Sequence, residues 1–121
     1  DGYKVCIFAY GQTGSGKTHT MEGDLKSQEG QGITPRAIEA LFHHIELMKE
    51  LGWEFVIKAS FQEIYLDEIR DLLSTGNTMK QINKAMKYEP TLVEVNEIEN
   101  VLALLKMAKE NRKVAETSAN H

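Results

Sequence analysis

The residues best able to do chemistry lie together near the start of the chain. Gly11-Gln12-Thr13-Gly14-Ser15-Gly16-Lys17-Thr18 fills the pattern G-x-x-x-x-G-K-[ST]. Glycines let a backbone curl until several N–H groups face one concavity, which suits an anion. A helix opening near Lys17 adds unpaired N–H groups and the positive end of its dipole. Lys17 brings a full charge to the outer phosphates of a nucleotide. The Thr18 hydroxyl offers the oxygen ligand that Mg²⁺ prefers. At average residue usage a chain of this length fills the pattern about once in two hundred tries. Here it also follows a predicted strand and opens a predicted helix, as phosphate binding requires. A glycine-rich turn with an accidental lysine is the weaker reading.

Few other residues compete for a chemical role. His19 follows the motif; read locally, a lone histidine is more often solvated than functional, and a place beside the nucleotide base is the minority alternative. His43 and His44 fall off or next to the apolar stripe of a predicted helix and read as surface residues. Cys6 sits inside Val5-Cys6-Ile7-Phe8-Ala9 and reads as a small buried hydrophobe. A single cysteine excludes an internal disulfide and fits a reducing compartment. No His, Cys or carboxylate cluster has metal-ligand spacing. No nucleophile stands beside a base, so no catalytic residue is assigned.

The elements that must position the loop follow from pattern. Lys4 to Tyr10 is a short apolar run ended by Gly11, expected as a strand buried on both faces. Lys17 to Met21 opens a helix, and Gly23 to Gly32 is a polar surface loop. Thr34 and Pro35 read as N-cap and first residue of a second helix. Its stripe is Ile38, Leu41, Phe42, Ile45 and Met48, and Gly52 stops it. Trp53 to Tyr65 is aromatic and β-branched, hence a strand. Asp67 to Leu73, acidic first and apolar at Ile69, Leu72 and Leu73, reads as a short helix. Ser74 to Pro90 has little periodicity and reads as a loop or hairpin; its Lys80, Lys84 and Lys87 make it locally basic. Thr91 to Val95 is a short strand. Asn96 then caps a long helix, with Glu99 as capping-box partner and Ile98, Val101, Leu102, Leu105 and Ala108 as its buried stripe. Interleaved strands and helices imply an α/β layered fold. Its sheet should be mixed, since some connections are too short for crossovers.

Composition agrees with one compact domain. The chain has 121 residues, 41% hydrophobic and 26% charged. No apolar run approaches the roughly 20 residues of a membrane span, so no membrane partner is expected. The net charge of −4 argues against a nucleic-acid partner, which calls for a basic surplus. The abrupt opening Asp1-Gly2-Tyr3 is that expected of a fragment.

A phosphate loop alone does not separate a kinase, a GTPase, a pump and a motor. The flanking residues do. The block Asp1-Gly2-Tyr3-Lys4-Val5-Cys6-Ile7-Phe8-Ala9-Tyr10, continuing through the loop to His19-Thr20-Met21, closely resembles the P-loop block of kinesin motor domains. Gly32-Ile33-Thr34-Pro35-Arg36 resembles the family's G-I-x-P-R. Glu63-Ile64-Tyr65 through Arg70-Asp71-Leu72-Leu73 resembles E-I-Y…(V/I)-x-D-L-L. Asn111-Arg112-Lys113-Val114-Ala115, with Thr117 and Asn120, resembles N-R-x-V-A-x-T-x-x-N, which leads into the first switch. The matches run through the chain in family order. The opening block and Gly52-Trp53 are most like C-terminal-motor kinesins, which generally walk toward microtubule minus ends. Ile64-Tyr65-Leu66-Asp67-Glu68-Ile69-Arg70 is more like conventional kinesin.

The resemblance implies a P-loop NTPase-type three-layer fold with a central mixed sheet, present here only in part. Residues 1–121 would then be a partial motor domain, from the P-loop strand through the helix preceding the first switch. It implies ATP and Mg²⁺ as cofactors. Gly11, Gln12, Thr13, Gly14, Ser15, Gly16, Lys17 and Thr18 would bind the phosphates, Thr18 would also bind the metal, and His19 would move to the base side. It implies microtubules (tubulin) as track, a coiled coil outside this chain forming a homodimer or heterodimer, and a cytoplasmic, cytoskeletal setting that includes the spindle. The chain ends at His121, where the family's S-S-R-S-H begins, and lacks the D-x-A-G-x-E switch and the main microtubule-binding helix. Residues 1–121 alone are therefore not expected to hydrolyse ATP. Two alternatives stand beside a motor ATPase: a non-motor kinesin-like interaction module that binds nucleotide or a partner without turnover, and an unrelated small P-loop kinase, for which no lid arginines or acceptor site are visible.

Overall fold

The computed structural model describes residues 2–74, 79–81 and 89–119. The chain divides into two compact units, Asp1–His44 and Ile45–His121.

The first unit opens with residues 2–10, which form no helix and join no strand pairing among the described residues. Two expectations fail here. Lys4 to Tyr10 is not buried on both faces: Val5 is 82% and Phe8 76% exposed. Cys6 is exposed too. A doubly buried strand needs hydrogen-bonded neighbours and a covering layer on each face, and no described strand supplies them. The glycine loop and helix α1 (Lys17–Met21) follow. A bridge between Gly23 and Gln31 closes the next loop, and α2 (Ile33–Glu50) begins directly after it. Thr34 and Pro35 thus lie inside the first turn of α2 rather than at its cap. The first-turn N–H groups lack intrahelical partners, so the missing proline donor costs nothing there. Of the α2 stripe, Phe42 and Ile45 are buried but Leu41 is 49% exposed. His43 and His44 are exposed, as expected.

In the second unit, α2 ends as the sequence suggests. The N–H of Gly52 donates to the Lys49 carbonyl (2.9 Å) and that of Trp53 to the Met48 carbonyl (3.2 Å), the crossed pair of a Schellman termination. Strand β1 (Lys58–Ala59) then pairs antiparallel with β5 (Val93–Glu94). Strands β2 (Gln62–Tyr65), β3 (Glu68–Asp71) and β4 (Met79–Gln81) form a second antiparallel sheet in that order. The expected helix at Asp67 to Leu73 is therefore mostly strand. Leu66 and Asp67 have φ of 48° and 61°, and Tyr65 pairs with Glu68 across them. Two consecutive left-handed residues make a tight hairpin and send the chain back along β2. The pairing at β4 agrees with the hairpin alternative for Ser74 to Pro90; Lys84 and Lys87 lie outside the described residues, as does Asn120. The strand pairs of the expected mixed sheet that fall among the described residues are antiparallel.

Of the stripe predicted for helix α3 (Ile98–Ala119), Val101, Leu105 and Ala108 are buried, and Ile98 and Leu102 are half-buried. Its capping residue differs by one position from expectation. Asn100 Oδ1, not Glu99, accepts from the backbone N–H of Glu97 (3.1 Å) and Asn96 (3.4 Å). That is a capping box written with asparagine, the side chain reaching back from the first turn. Among the described residues, no helix is long and apolar enough to cross a membrane.

Candidate functional site

The glycine loop owes its shape to backbone conformations few residues adopt. Gly11 has φ of 153° and Gly16, at the N-cap of α1, has φ of 99°. A side chain at either position would be strained. At Gly11 space is tight as well: an added Cβ would sit 2.5 Å from Ser15 Oγ, which would have to turn away, and 3.2 Å from Ser15 Cβ. Between them the Ser15 N–H donates to the Gln12 carbonyl at 3.1 Å. The chain therefore turns tightly over four residues and delivers Gly16 to the start of α1.

Lys17 Nζ donates to the Gly11 carbonyl at 2.7 Å. The ammonium is folded back across the loop it follows, rather than extended into solvent. Its charge thus lies over the concavity and is held by one neutral acceptor that a phosphate oxygen can outcompete, since bonds between ionised groups are roughly twice as strong. All nine predicted residues, Gly11 to His19, are exposed and contiguous. Thr18 and His19 sit in the first turn of α1, whose N–H groups have no intrahelical partner. α1 has only five residues, so the dipole contributes less than the sequence reading assumed. The groups that can meet an anion here are the glycine-loop N–H groups and Lys17. A cavity of about 300 Å³ borders the loop. Ser15, Gly16 and Lys17 form its polar wall, and Phe8, Tyr10, Met21 and Ile33 its apolar one. Among the described residues, no cluster of His, Cys, Asp or Glu could hold a metal by itself.

Three residues that carry structure around these motifs escaped functional assignment. Arg36 Nε donates to the Gln31 carbonyl (3.0 Å) and Nη2 to the Glu29 carbonyl (3.1 Å), closing the 23–32 loop. In the second unit, buried Asp71 accepts from the backbone N–H of Leu73 at Oδ1 (3.1 Å) and of Thr91 at Oδ2 (2.7 Å). Asn111 Nδ2 donates to the Leu72 carbonyl at 2.7 Å. The signal for all three was their place inside G-I-x-P-R, D-L-L and N-R-x-V-A; their partners were not legible.

Comparison with known proteins agrees with this geometry. The chain matches the family profile "Kinesin motor domain" over residues 1–121. It is 47% identical to "Carboxy-terminal kinesin 2" of Xenopus laevis over 99% of this chain and 20% of that protein. It is 43% identical to "Kinesin-like protein KIN-14N" of Oryza sativa over 99% of this chain and 17% of that protein. Human "Kinesin-1 heavy chain" is 44% identical over 99% of this chain and 13% of that protein. The solved structure of a fast kinesin superposes with a TM-score of 0.76 at 31% identity, covering 94% of this chain and 34% of that one. The chain belongs to the kinesin motor domain family and has its P-loop NTPase-type α/β fold in part. Among its relatives are C-terminal-motor kinesins, as the opening block suggests. It spans about a fifth or less of the length of these curated relatives.

Proposed function

We propose that this chain is the ATP-binding part of a microtubule-dependent motor ATPase. The observation that carries the proposal is the Lys17 ammonium held 2.7 Å from the Gly11 carbonyl, over a loop whose backbone at Gly11, with φ of 153°, disfavours a side chain. Residues Gly11 to Thr18 hold the phosphates, Lys17 neutralises them, and His19 lies toward the base. The Thr18 hydroxyl is an oxygen donor of the kind Mg²⁺ takes, and a single protein ligand suits an ion that keeps several waters. When bound, the metal neutralises charge that develops on the phosphates. The loop's own work is positioning and electrostatics, with no covalent step. The rest of the cycle draws on portions of the protein beyond the matched share of its relatives, including the track surface and a dimerising coiled coil. Microtubules are the proposed partner and the cytoskeleton the proposed setting.

The test is steady-state ATP hydrolysis by the full-length protein with and without microtubules. We expect microtubule stimulation in the unsubstituted protein and none with Lys17→Ala. Full nucleotide binding by Lys17→Ala would overturn the site.

A further inference from the structure

The 23–32 loop is joined to the phosphate loop by backbone alone. α1 spans little more than one turn, and its last turn is shared with the neck of the next loop. The carbonyl of Thr18 accepts from two N–H groups, Glu22 (2.8 Å) and Gly23 (3.2 Å). Gly32 closes the neck from the other side, its N–H donating to the Glu22 carbonyl at 2.9 Å. A Cβ at Gly32 would lie 2.6 Å from the Thr20 carbonyl oxygen, so the two strands of the neck touch α1 directly. Beyond the neck, the Asp24 N–H donates to the Gly30 carbonyl at 2.8 Å. Arg36 adds two side-chain bonds to the far strand. Its guanidinium reaches back from α2 to two carbonyls of that strand, Glu29 and Gln31. Every residue in this chain of bonds belongs to the first unit.

We propose that Arg36 is a positioning residue for the nucleotide site. By fixing both carbonyls of the returning strand it fixes Gly32, and through Glu22 and Gly23 it fixes the carbonyl of Thr18. The peptide so held joins Thr18 to His19, directly after the residue that carries the hydroxyl. A planar fork serves here where a point charge does not, because two acceptors must be met at once. The inference rests on the assignment of Gly11 to Thr18 as the nucleotide loop.

The experiment titrates MgADP into the full-length protein and three variants, Arg36→Ala, Arg36→Lys and Lys17→Ala, with a thermal melt of each. Arg36→Ala should weaken MgADP binding about fivefold, the scale of a coupling carried through packed neighbours. Arg36→Lys should not restore it, because charge is not what the site uses. A fourth background replaces residues 25–29 with Asn-Gly, a two-residue turn that closes without help. In it, Arg36→Ala should leave affinity unchanged. Arg36→Ala that lowers the melting temperature but leaves affinity intact overturns the proposal, as does full rescue by lysine. If Lys17→Ala binds as tightly as the unsubstituted protein, the nucleotide site itself is misassigned and this proposal falls with it. Loss at Lys17 with no effect at Arg36 sinks the positioning role alone.

Discussion

The two units hold their motifs in opposite ways. In the first, the bonds that shape the phosphate loop and the 23–32 loop span few residues: Lys17 reaches back six positions to Gly11, and Arg36 five and seven to Gln31 and Glu29. All are exposed. In the second, Thr91 meets Asp71 across 20 positions and Asn111 meets Leu72 across 39. Leu72, Leu73, Val95, Val101, Leu105 and Ala108 are buried in the same unit. The first arrangement can be built by local backbone and released to a ligand. The second exists only when distant segments have met. On the proposed reading, one family signature mixes residues that serve a ligand with residues that serve folding, and the span and burial of their bonds tell them apart.

The sharpest way to break this contrast is Asp71→Ala. It strands the N–H groups of Leu73 and Thr91, of which the second is held at 2.7 Å. Each unsatisfied buried donor costs about 1–3 kcal/mol, so we expect a loss of about 3 kcal/mol in denaturant unfolding. Asp71→Asn keeps one acceptor and should lose about half as much. If Asp71→Ala unfolds at the unsubstituted midpoint, the buried knot is not what holds the unit.

Lys17→Ala should do the reverse. Nucleotide affinity should fall by roughly thirtyfold, about 2 kcal/mol for a bond between charged groups. Stability should move by less than about 0.5 kcal/mol, as for most exposed positions. Thr18→Asn should keep part of its ADP affinity while losing ATP-driven cycling, because it disturbs the metal ligand more than the phosphate cradle. Titration at fixed Mg²⁺ with a parallel melt separates these outcomes. A large stability loss at Lys17 would make the loop a folding element after all.

Asn111→Ala tests the longest link. Its Nδ2 meets a carbonyl 39 positions away at 2.7 Å. Losing one part-buried hydrogen bond should cost about 1.5 kcal/mol, with nucleotide affinity unchanged. An affinity change without a stability change would assign Asn111 to the ligand rather than the scaffold.

The same contrast explains what the sequence could and could not reveal. Gly11 to Thr18 was legible because its geometry is written in contiguous residues whose types leave few alternatives. The end of α2 at Gly52 and the buried stripe of α3 were legible for the same reason. Lys4 to Tyr10 was misread because burial of a strand depends on what pairs with it, and pattern reports only that it is apolar. Leu41 was misread because a stripe defines a face without fixing how wide its cover is. The partners of Asp71 and Asn111 lie 20 and 39 positions off, beyond any local rule. Arg36 was quoted within a motif, yet its acceptors are backbone carbonyls, which no side-chain pattern announces.

The smallest expected effect concerns an element expected as helix and found as strand. Asp67 to Leu73 carries a helical pattern, yet Leu66 and Asp67 turn the chain at φ of 48° and 61°. Left-handed backbone costs an ordinary L-residue roughly 1–2 kcal/mol, and less for Asp. Leu66 gains little in return, since it is 79% exposed. Asn-Gly is the pair this two-residue turn prefers. Leu66→Asn with Asp67→Gly should therefore stabilise the protein by about 1 kcal/mol, read as a higher denaturant midpoint with an unchanged slope. The cross-strand pair of Glu63 with Arg70, at 3.1 Å, should persist, because the register Glu63↔Arg70 is retained. A helix from Asp67 onward would respond in the opposite sense, since glycine near its start and the loss of an acidic residue both weaken a helix. The sign of the shift thus decides between strand and helix without a new structure. It also locates the limit of local pattern: two residues at the turn outweigh the six that follow, Glu68 to Leu73.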